Sequence, residues 1–243
     1  MKTIKDIDVA NKKVIVRVDY NVPIINGRIL DNNRIVASLE TINYLLSKNA
    51  KIILMSHLGK IKTKSDLEAN SLKPVRDELS ILLHKDIKFS STLKGKELDD
   101  LVNNLNPGDI LLLENTRYMD YPDKLESNCD IELSKYWASL GDVYILDAFA
   151  SSHRRHASTV GIPSYLPHAV GFLVERELQE LDEIKKENKT LLLGGAKVDD
   201  KLSLIEYLLP TSDKILLGGR MCATFIKSEG YEVGKTETND ALL

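Results

Sequence analysis

Cysteine is scarce: the 243-residue chain holds two, Cys129 and Cys222, far apart and in no C-x-x-C pair. That argues against a disulfide framework and a thiolate zinc site, and makes a reducing cytoplasm the expected compartment. No apolar run is long enough to span a bilayer, and residues 1–8 (M-K-T-I-K-D-I-D) lack the apolar stretch of a secretory signal. Charge of one sign is also lacking: the formal net charge is -3. There is therefore no global attraction for nucleic acid or an anionic membrane, and any affinity for an anion must be local. No G-x-x-x-x-G-K-[ST] occurs, so there is no Walker-type phosphate loop, and no G-x-S-x-G. What remains, 43% hydrophobic and 28% charged residues, fits a soluble globular chain of one large or two smaller domains.

Short apolar runs alternate with helical patterns along the whole chain. Residues 14–18, 51–55, 110–113 and 143–146 read as buried strands, with residues 86–89 as a further short one. Between them, Ile35, Leu39, Ile42 and Leu46 fall on one helix face, and Leu72, Val75, Leu79 and Leu82 on another. Asn26-Gly27 marks a turn, and residues 61–70 read as an exposed, lysine-rich loop. Residues 94–104 and 131–140 are expected helices, the second placing Trp137 in the core. Residues 161–171, with Pro163 and Pro167, cannot form one regular element. Val174, Leu178, Leu181 and Ile184 give a long charged helix, followed by strands at 190–193 and 214–217 and their helices. The pattern predicts an α/β fold: a three-layer, Rossmann-like parallel sheet in a first lobe, residues 1–171. A connecting helix, 172–188, and the start of a second α/β lobe, 189–243, complete the expected division.

The chemistry sits where the strands end. In the first lobe these loops supply Asp19, Asn21, His57, Arg117, His153 and Arg154, and Arg34 follows at a helix start. In a parallel sheet such loops share one edge and their side chains converge. Guanidinium forks match carboxylate and phosphate oxygens, so the set suits a small, highly charged anion. Asp19 and Asn21 can take up a hydroxyl of the same ligand. In the second lobe the strands end in Gly194-Gly195 and Gly218-Gly219, which let a ligand approach the backbone, and Lys197 and Lys201 lie one turn apart at a helix start, suited to a phosphate chain. Singly, each arginine here is more often solvated or ion-paired, and each histidine more often structural.

Taken together, the motifs R-V-D-Y-N-V-P (17–23), S-H-L-G (56–59), L-L-E-N-T-R (112–117), D-A-F (147–149), His153-Arg154 with H-A-S-T (156–159), G-G-A-K-V (194–198) with Asp200-Lys201, and Gly218-Gly219 with Thr224-Phe225 resemble phosphoglycerate kinases, in the family's order and spacing. The resemblance implies phosphoryl transfer between 1,3-bisphosphoglycerate and ADP, giving 3-phosphoglycerate and ATP, with Mg²⁺, by a cytoplasmic monomer of glycolysis. It further implies that Asp19, Asn21, Arg34, His57, Lys60, Arg117 and Arg154 hold 3-phosphoglycerate, that Arg34 and Lys197 stabilise the phosphoryl group in flight, and that Gly194, Gly195, Lys197, Lys201, Gly218 and Gly219 form the nucleotide site.

Several positions depart from the family pattern. Lys60 replaces an arginine, keeping the charge and losing the fork, so weaker phosphate binding is expected. Arg155 stands where a small residue is usual, and Arg220 puts bulk or a phosphate-seeking charge beside the nucleotide glycines. Asp147 reads as a loop organiser and His156 as a loop stabiliser. The largest departure is length: family members continue through most of a second lobe. The chain thus reads as a truncated phosphoglycerate kinase, and its last ~50 residues are expected to be poorly stabilised because two or three strands cannot bury both faces of a lobe. The competing expectation is a catalytically weak, 3-phosphoglycerate-binding protein, or one half of a split enzyme.

Overall fold

The structure, a computed structural model, describes residues 1–184, 189–195 and 199–239, with backbone alone at Ile184 and 199–201. The chain divides into two compact units, Met1–Glu177 and Leu178–Leu243. The first unit opens with β1 (Lys13–Val18) and a small hairpin, β2 (Ile24–Ile25) and β3 (Arg28–Ile29), turned by Asn26 and Gly27, both at positive φ. Then come α1 (Asn33–Ala37), α2 (Leu39–Ser47), β4 (Lys51–Met55), α3 (Ser65–Ala69) and α4 (Lys73–Leu83). The unit continues through β5 (Lys88–Ser90), α5 (Lys96–Asn103), β6 (Ile110–Leu113), α6 (Ile131–Ser139), β7 (Val143–Asp147) and β8 (His168–Val170). The chain leaves it along α7 (Phe172–Ile184).

Six of these strands form one sheet in the order β5-β6-β4-β1-β7-β8, with every pair parallel. Side chains alternate across it, as strand geometry requires. Val14, Val16 and Val18 join one core with Ile42, Leu45, Val75 and Leu79 of α2 and α4. Ile15, Ile53, Leu111 and Tyr144 join the other with Leu98 and Val102 of α5 and Trp137 of α6. Both faces are therefore covered, which is why these strands read as unbroken apolar runs. Trp137 is fully buried, and its indole N–H donates to the Leu93 carbonyl at 2.8 Å. After β1 the chain turns to β4 on one side; after β7 it turns to β8 on the other. The C-terminal edge at this divergence is where open α/β sheets place ligands.

Two sequence expectations need correction. The helix expected through Ile35 and Leu46 is two helices, because the Ser38 hydroxyl bonds back to the Ile35 carbonyl at 2.7 Å and bends the chain there. As a result Leu45 is fully buried, while Leu39 and Leu46 are only partly so. The supposed loop 61–70 contains α3 and buries Ile61; Asp66 folds it by accepting the Lys62 and Thr63 N–H groups, each at 2.8 Å. The proline-containing stretch 161–171 is not one regular element, as expected, but it does supply the short edge strand β8.

The second unit contains a two-stranded parallel sheet, β9 (Lys189–Gly194) and β10 (Ser212–Gly218), with α8 (Asp199–Leu208) and α9 (Arg220–Ser228). Its small core packs Leu193, Ile215, Leu217 and Phe225 around Ile205 and Met221. The opposite sheet face is open: Leu192 is 79% and Leu216 52% exposed. Among the described residues no helix is long and apolar enough to cross a membrane.

Candidate functional site

The C-terminal edge of the first unit's sheet gathers the polar loops. Asp19, at the end of β1, is nearly buried; one carboxylate oxygen accepts from the guanidinium of Arg34 in α1, and the other from the Asn21 N–H at 3.1 Å. Asn21 Oδ1 accepts the Gly59 N–H at 2.9 Å, tying the β1 loop to the β4 loop. Asn115, after β6, is fully buried and meets all its needs: Oδ1 accepts from Leu58 and Arg117 N–H at 3.1 and 3.0 Å, and Nδ2 donates to the Leu58 and Asn70 carbonyls at 2.7 and 2.9 Å. The β4 and β6 loops are thus one rigid piece.

On that piece sits Arg117. Its Nη1 donates to Asp120 at 3.0 Å and to the Ser127 hydroxyl at 2.9 Å; its Nε–H is buried with no partner. Beside it opens a cavity of about 350 Å³ whose lining includes the cations Lys60, Lys62, Arg117 and Lys124. Only one carboxylate, Asp120, lines it with them.

His57 is buried at the end of β4, and its Nδ1 lies 3.1 Å from Arg17 Nη2. Burial first, and then the cations Arg17, Arg117 and Arg154, hold its pKa far below the ordinary 6.5, at about 2. The ring is neutral throughout the physiological range. His156 is depressed to about 4 by burial and by Arg117. Arg154 is partly exposed, and its carbonyl accepts the Thr159 hydroxyl at 2.6 Å, which fixes the loop after β7. Asn21, Lys60, His153 and Arg155 are exposed.

The structure therefore brings Asp19, Asn21, Arg34, His57, Lys60, Arg117 and Arg154 to the loops of one sheet edge. In the second unit, Gly194 pairs in register with Gly218 at the ends of β9 and β10. Gly219 sits at φ 67°, a conformation side chains disfavour, and a Cβ there would lie 3.3 Å from the Gly195 carbonyl oxygen. The Gly195 carbonyl accepts the Met221 N–H at 3.1 Å. Arg220 pairs with Glu237 instead of lying free. Lys197 and the side chain of Lys201 lie outside the described residues.

The family profile described as phosphoglycerate kinase matches residues 4–243. The chain belongs to the phosphoglycerate kinase family. The phosphoglycerate kinase of Enterococcus faecalis is 52% identical over 237 residues, which is 96% of this chain and 60% of that protein. That of Listeria innocua is 51% identical over 238 residues, 97% of this chain and 60% of its relative. Among solved structures, phosphoglycerate kinase from Coxiella burnetii superposes with a TM-score of 0.85 at 33% identity, over 98% of this chain and 60% of that one. The Pyrococcus horikoshii enzyme gives 0.83 at 30% identity, over 96% and 59%. The chain thus spans about 60% of the length of the curated relatives it matches.

Against the family's motifs, the structure adds residues that sequence reasoning passed over. Arg17 interrupts the apolar run of β1 and is fully buried, as are Glu126 and Ser158. Asn115 and Asp120 hold Arg117 from either side. A charge inside a strand buried on both faces was the available signal for Arg17; Asp120, at the end of the short helical turn Thr116–Asp120, and Glu126, in the loop beyond it, offered none.

Proposed function

We propose that this chain carries the 3-phosphoglycerate side of phosphoglycerate kinase chemistry, the glycolytic transfer of a phosphoryl group between 1,3-bisphosphoglycerate and ADP, in the cytoplasm and as a monomer. The observation that carries the reading is the cationic cavity at Arg117, at the sheet edge shared by Arg34, His57 and Arg154, in a chain of this family. Arg117 and Lys60 would take the phosphate, with the orphaned Arg117 Nε–H a donor awaiting an acceptor. Asp19 and Asn21 would take the hydroxyl, and Arg154 and His57 further oxygens.

In the ATP-consuming direction the attacking group is the carboxylate of 3-phosphoglycerate, ionised at neutral pH, so no general base is required. Catalysis reduces to positioning and to neutralising charge on the moving phosphoryl group. Arg34 and Lys197 would do the second. Arg34 is half exposed on α1, and Asp19 engages one end of its five-donor fork. Gly194, Gly195, Gly218 and Gly219, with Lys197 and Lys201, would receive the nucleotide. No group of three or more His, Cys, Asp or Glu among the described residues could hold a metal. The described residues therefore do not provide a protein cage for Mg²⁺, which would arrive with the nucleotide phosphates.

Titration calorimetry with 3-phosphoglycerate tests the reading. Binding is expected, and Arg117→Ala should weaken it by at least tenfold, the scale of one charged hydrogen bond. Absence of heat from the unaltered chain would overturn it. A coupled assay with MgATP follows turnover separately.

A further inference from the structure

Buried beneath the proposed substrate site is a charged chain of contacts that touches no solvent. Arg17, Ser158 and Glu126 are each 0% exposed. Each nitrogen of the Arg17 guanidinium makes a hydrogen bond: Nε donates to Ser158 Oγ at 2.9 Å, Nη1 to the Val18 carbonyl, and Nη2 reaches His57 Nδ1 at 3.1 Å. The Ser158 hydroxyl donates in turn to Glu126 Oε1, and its N–H donates to Oε2 at 3.0 Å. Burial raises the Glu126 pKa, and Arg17 and the two Ser158 hydrogen bonds oppose that rise. An isolated buried guanidinium is costly, so a carboxylate one hydroxyl away is the natural counter-charge.

Arginine carries five N–H donors and no acceptor. The contact at 3.1 Å therefore has one possible polarity: Arg17 donates and His57 Nδ1 accepts. A neutral imidazole whose Nδ1 accepts carries its proton on Nε2. Resting on the proposed substrate reading, we infer that Arg17, held by Ser158 and Glu126, is a positioning residue that locks His57 in the Nε2–H tautomer, so that the ring meets an anionic substrate only as a hydrogen-bond donor. The opposite tautomer would present a lone pair to the same oxygens. Among the described residues no protein group accepts from His57 Nε2, which leaves that N–H for a ligand. The charged and titratable groups facing the ring come from three elements besides its own: Arg17 from β1, Arg117 from the loop after β6, and Arg154 and His156 from the loop after β7. All of them disfavour a second proton on it.

Long-range ¹H–¹⁵N correlation of the histidine side chains, on the unliganded chain, reads the tautomer directly. The expected spectrum shows His57, assigned by its loss in His57→Gln, with a pyridine-type Nδ1 and a pyrrole-type Nε2, and no titration between pH 8 and 5. Arg17→Met should give a mixture of tautomers, a midpoint moving up toward 6.5, and about tenfold weaker 3-phosphoglycerate binding. Ser158→Ala removes one buried hydroxyl, and should shift the tautomer ratio in the same direction by less; it stands in if Arg17→Met does not fold. A proton on Nδ1 in the unaltered chain, or a ratio unchanged in both variants, overturns the inference. Failure of the substrate reading looks different: the tautomer is as expected while 3-phosphoglycerate does not bind.

Discussion

Asp147 should make the first unit more stable in mild acid than its other carboxylates would allow. It ends β7 with a fully buried side chain. Oδ1 accepts the Leu173 and Val174 N–H groups at 2.9 and 3.4 Å, in the first turn of α7, and the Thr41 side chain also favours the charged form. Gly171 presses against the carboxyl, so closely that a Cβ there would lie 2.4 Å from Cγ. Burial outweighs the hydrogen bonds and raises the pKa from 3.8 to about 6. Between these two values the folded chain binds a proton that the unfolded chain has lost. The associated stability is fully present below pH 3.8 and is lost as pH rises through 6. A rise of this size corresponds to ~3 kcal/mol. Asp147→Asn keeps the shape and removes the titration, and comparing the two proteins cancels every other group. Relative to the variant, the native chain should gain ~1 kcal/mol between pH 7 and 5 and ~2 kcal/mol by pH 4. Urea unfolding followed by fluorescence of Trp137, the single tryptophan and buried in this unit, measures it. A difference that stays constant across this range, or that moves toward the variant, would refute the reasoning.

Three further outcomes are expected. Lys60→Arg restores a fork at the cavity beside Arg117 and should tighten 3-phosphoglycerate several-fold by calorimetry, with little change in unfolding midpoint, because Lys60 is exposed. Asn115→Ala removes four hydrogen bonds from a fully buried site, and should cost ~3 kcal/mol in urea unfolding and weaken 3-phosphoglycerate as well, since the Arg117 N–H rests on Asn115. Gly161→Ala would put a methyl group 2.0 Å from Ser134 Oγ and 2.7 Å from its Cβ, between the loop after β7 and α6, and should destabilise by ~1–3 kcal/mol.

The sheet was legible where burial on both faces left a mark on composition. Runs such as I-L-L-L at β6 or K-I-I-L-M at β4 can hardly be anything but central strands. β8 left no mark, because it is three residues long, lies at the edge, and has β7 on one side and only a single bridge to Thr3 on the other. The break at Ser38 was hidden for another reason: the apolar spacing continues through it, and only the back-bonding hydroxyl, which also meets Tyr20 OH at 2.9 Å, shows where the helix bends. The candidate site divides the same way. Loops at strand ends concentrate polar residues, so Asp19, His57 and Arg117 announced themselves. Arg17 did not, because its partners are remote in sequence: Ser158 lies 141 positions away and His57 40. A lone charge inside a buried strand signals that something must satisfy it, but nothing local says which residues do.

That distance in sequence bears on how a chain with a net charge of -3 can hold a cationic site at all. Arg34 has Asp19, Arg117 has Asp120, and Arg17 has Glu126 through Ser158. Each of these carboxylates fixes an arginine in place and offsets the cost of holding it partly dry before any ligand arrives. Arg154 and Lys60, by contrast, have no acidic partner among the described residues. The local excess of positive charge therefore rests on these two and on Lys62 and Lys124, which line the cavity beside Arg117. Preorganisation and attraction are thus supplied by different residues. The paired arginines are set in geometry and partly neutralised in field, while the unpaired cations supply the field. The proposed site would in this way discriminate by shape through Arg117 and still draw in an anion through Lys60 and Arg154, without a net positive charge on the chain.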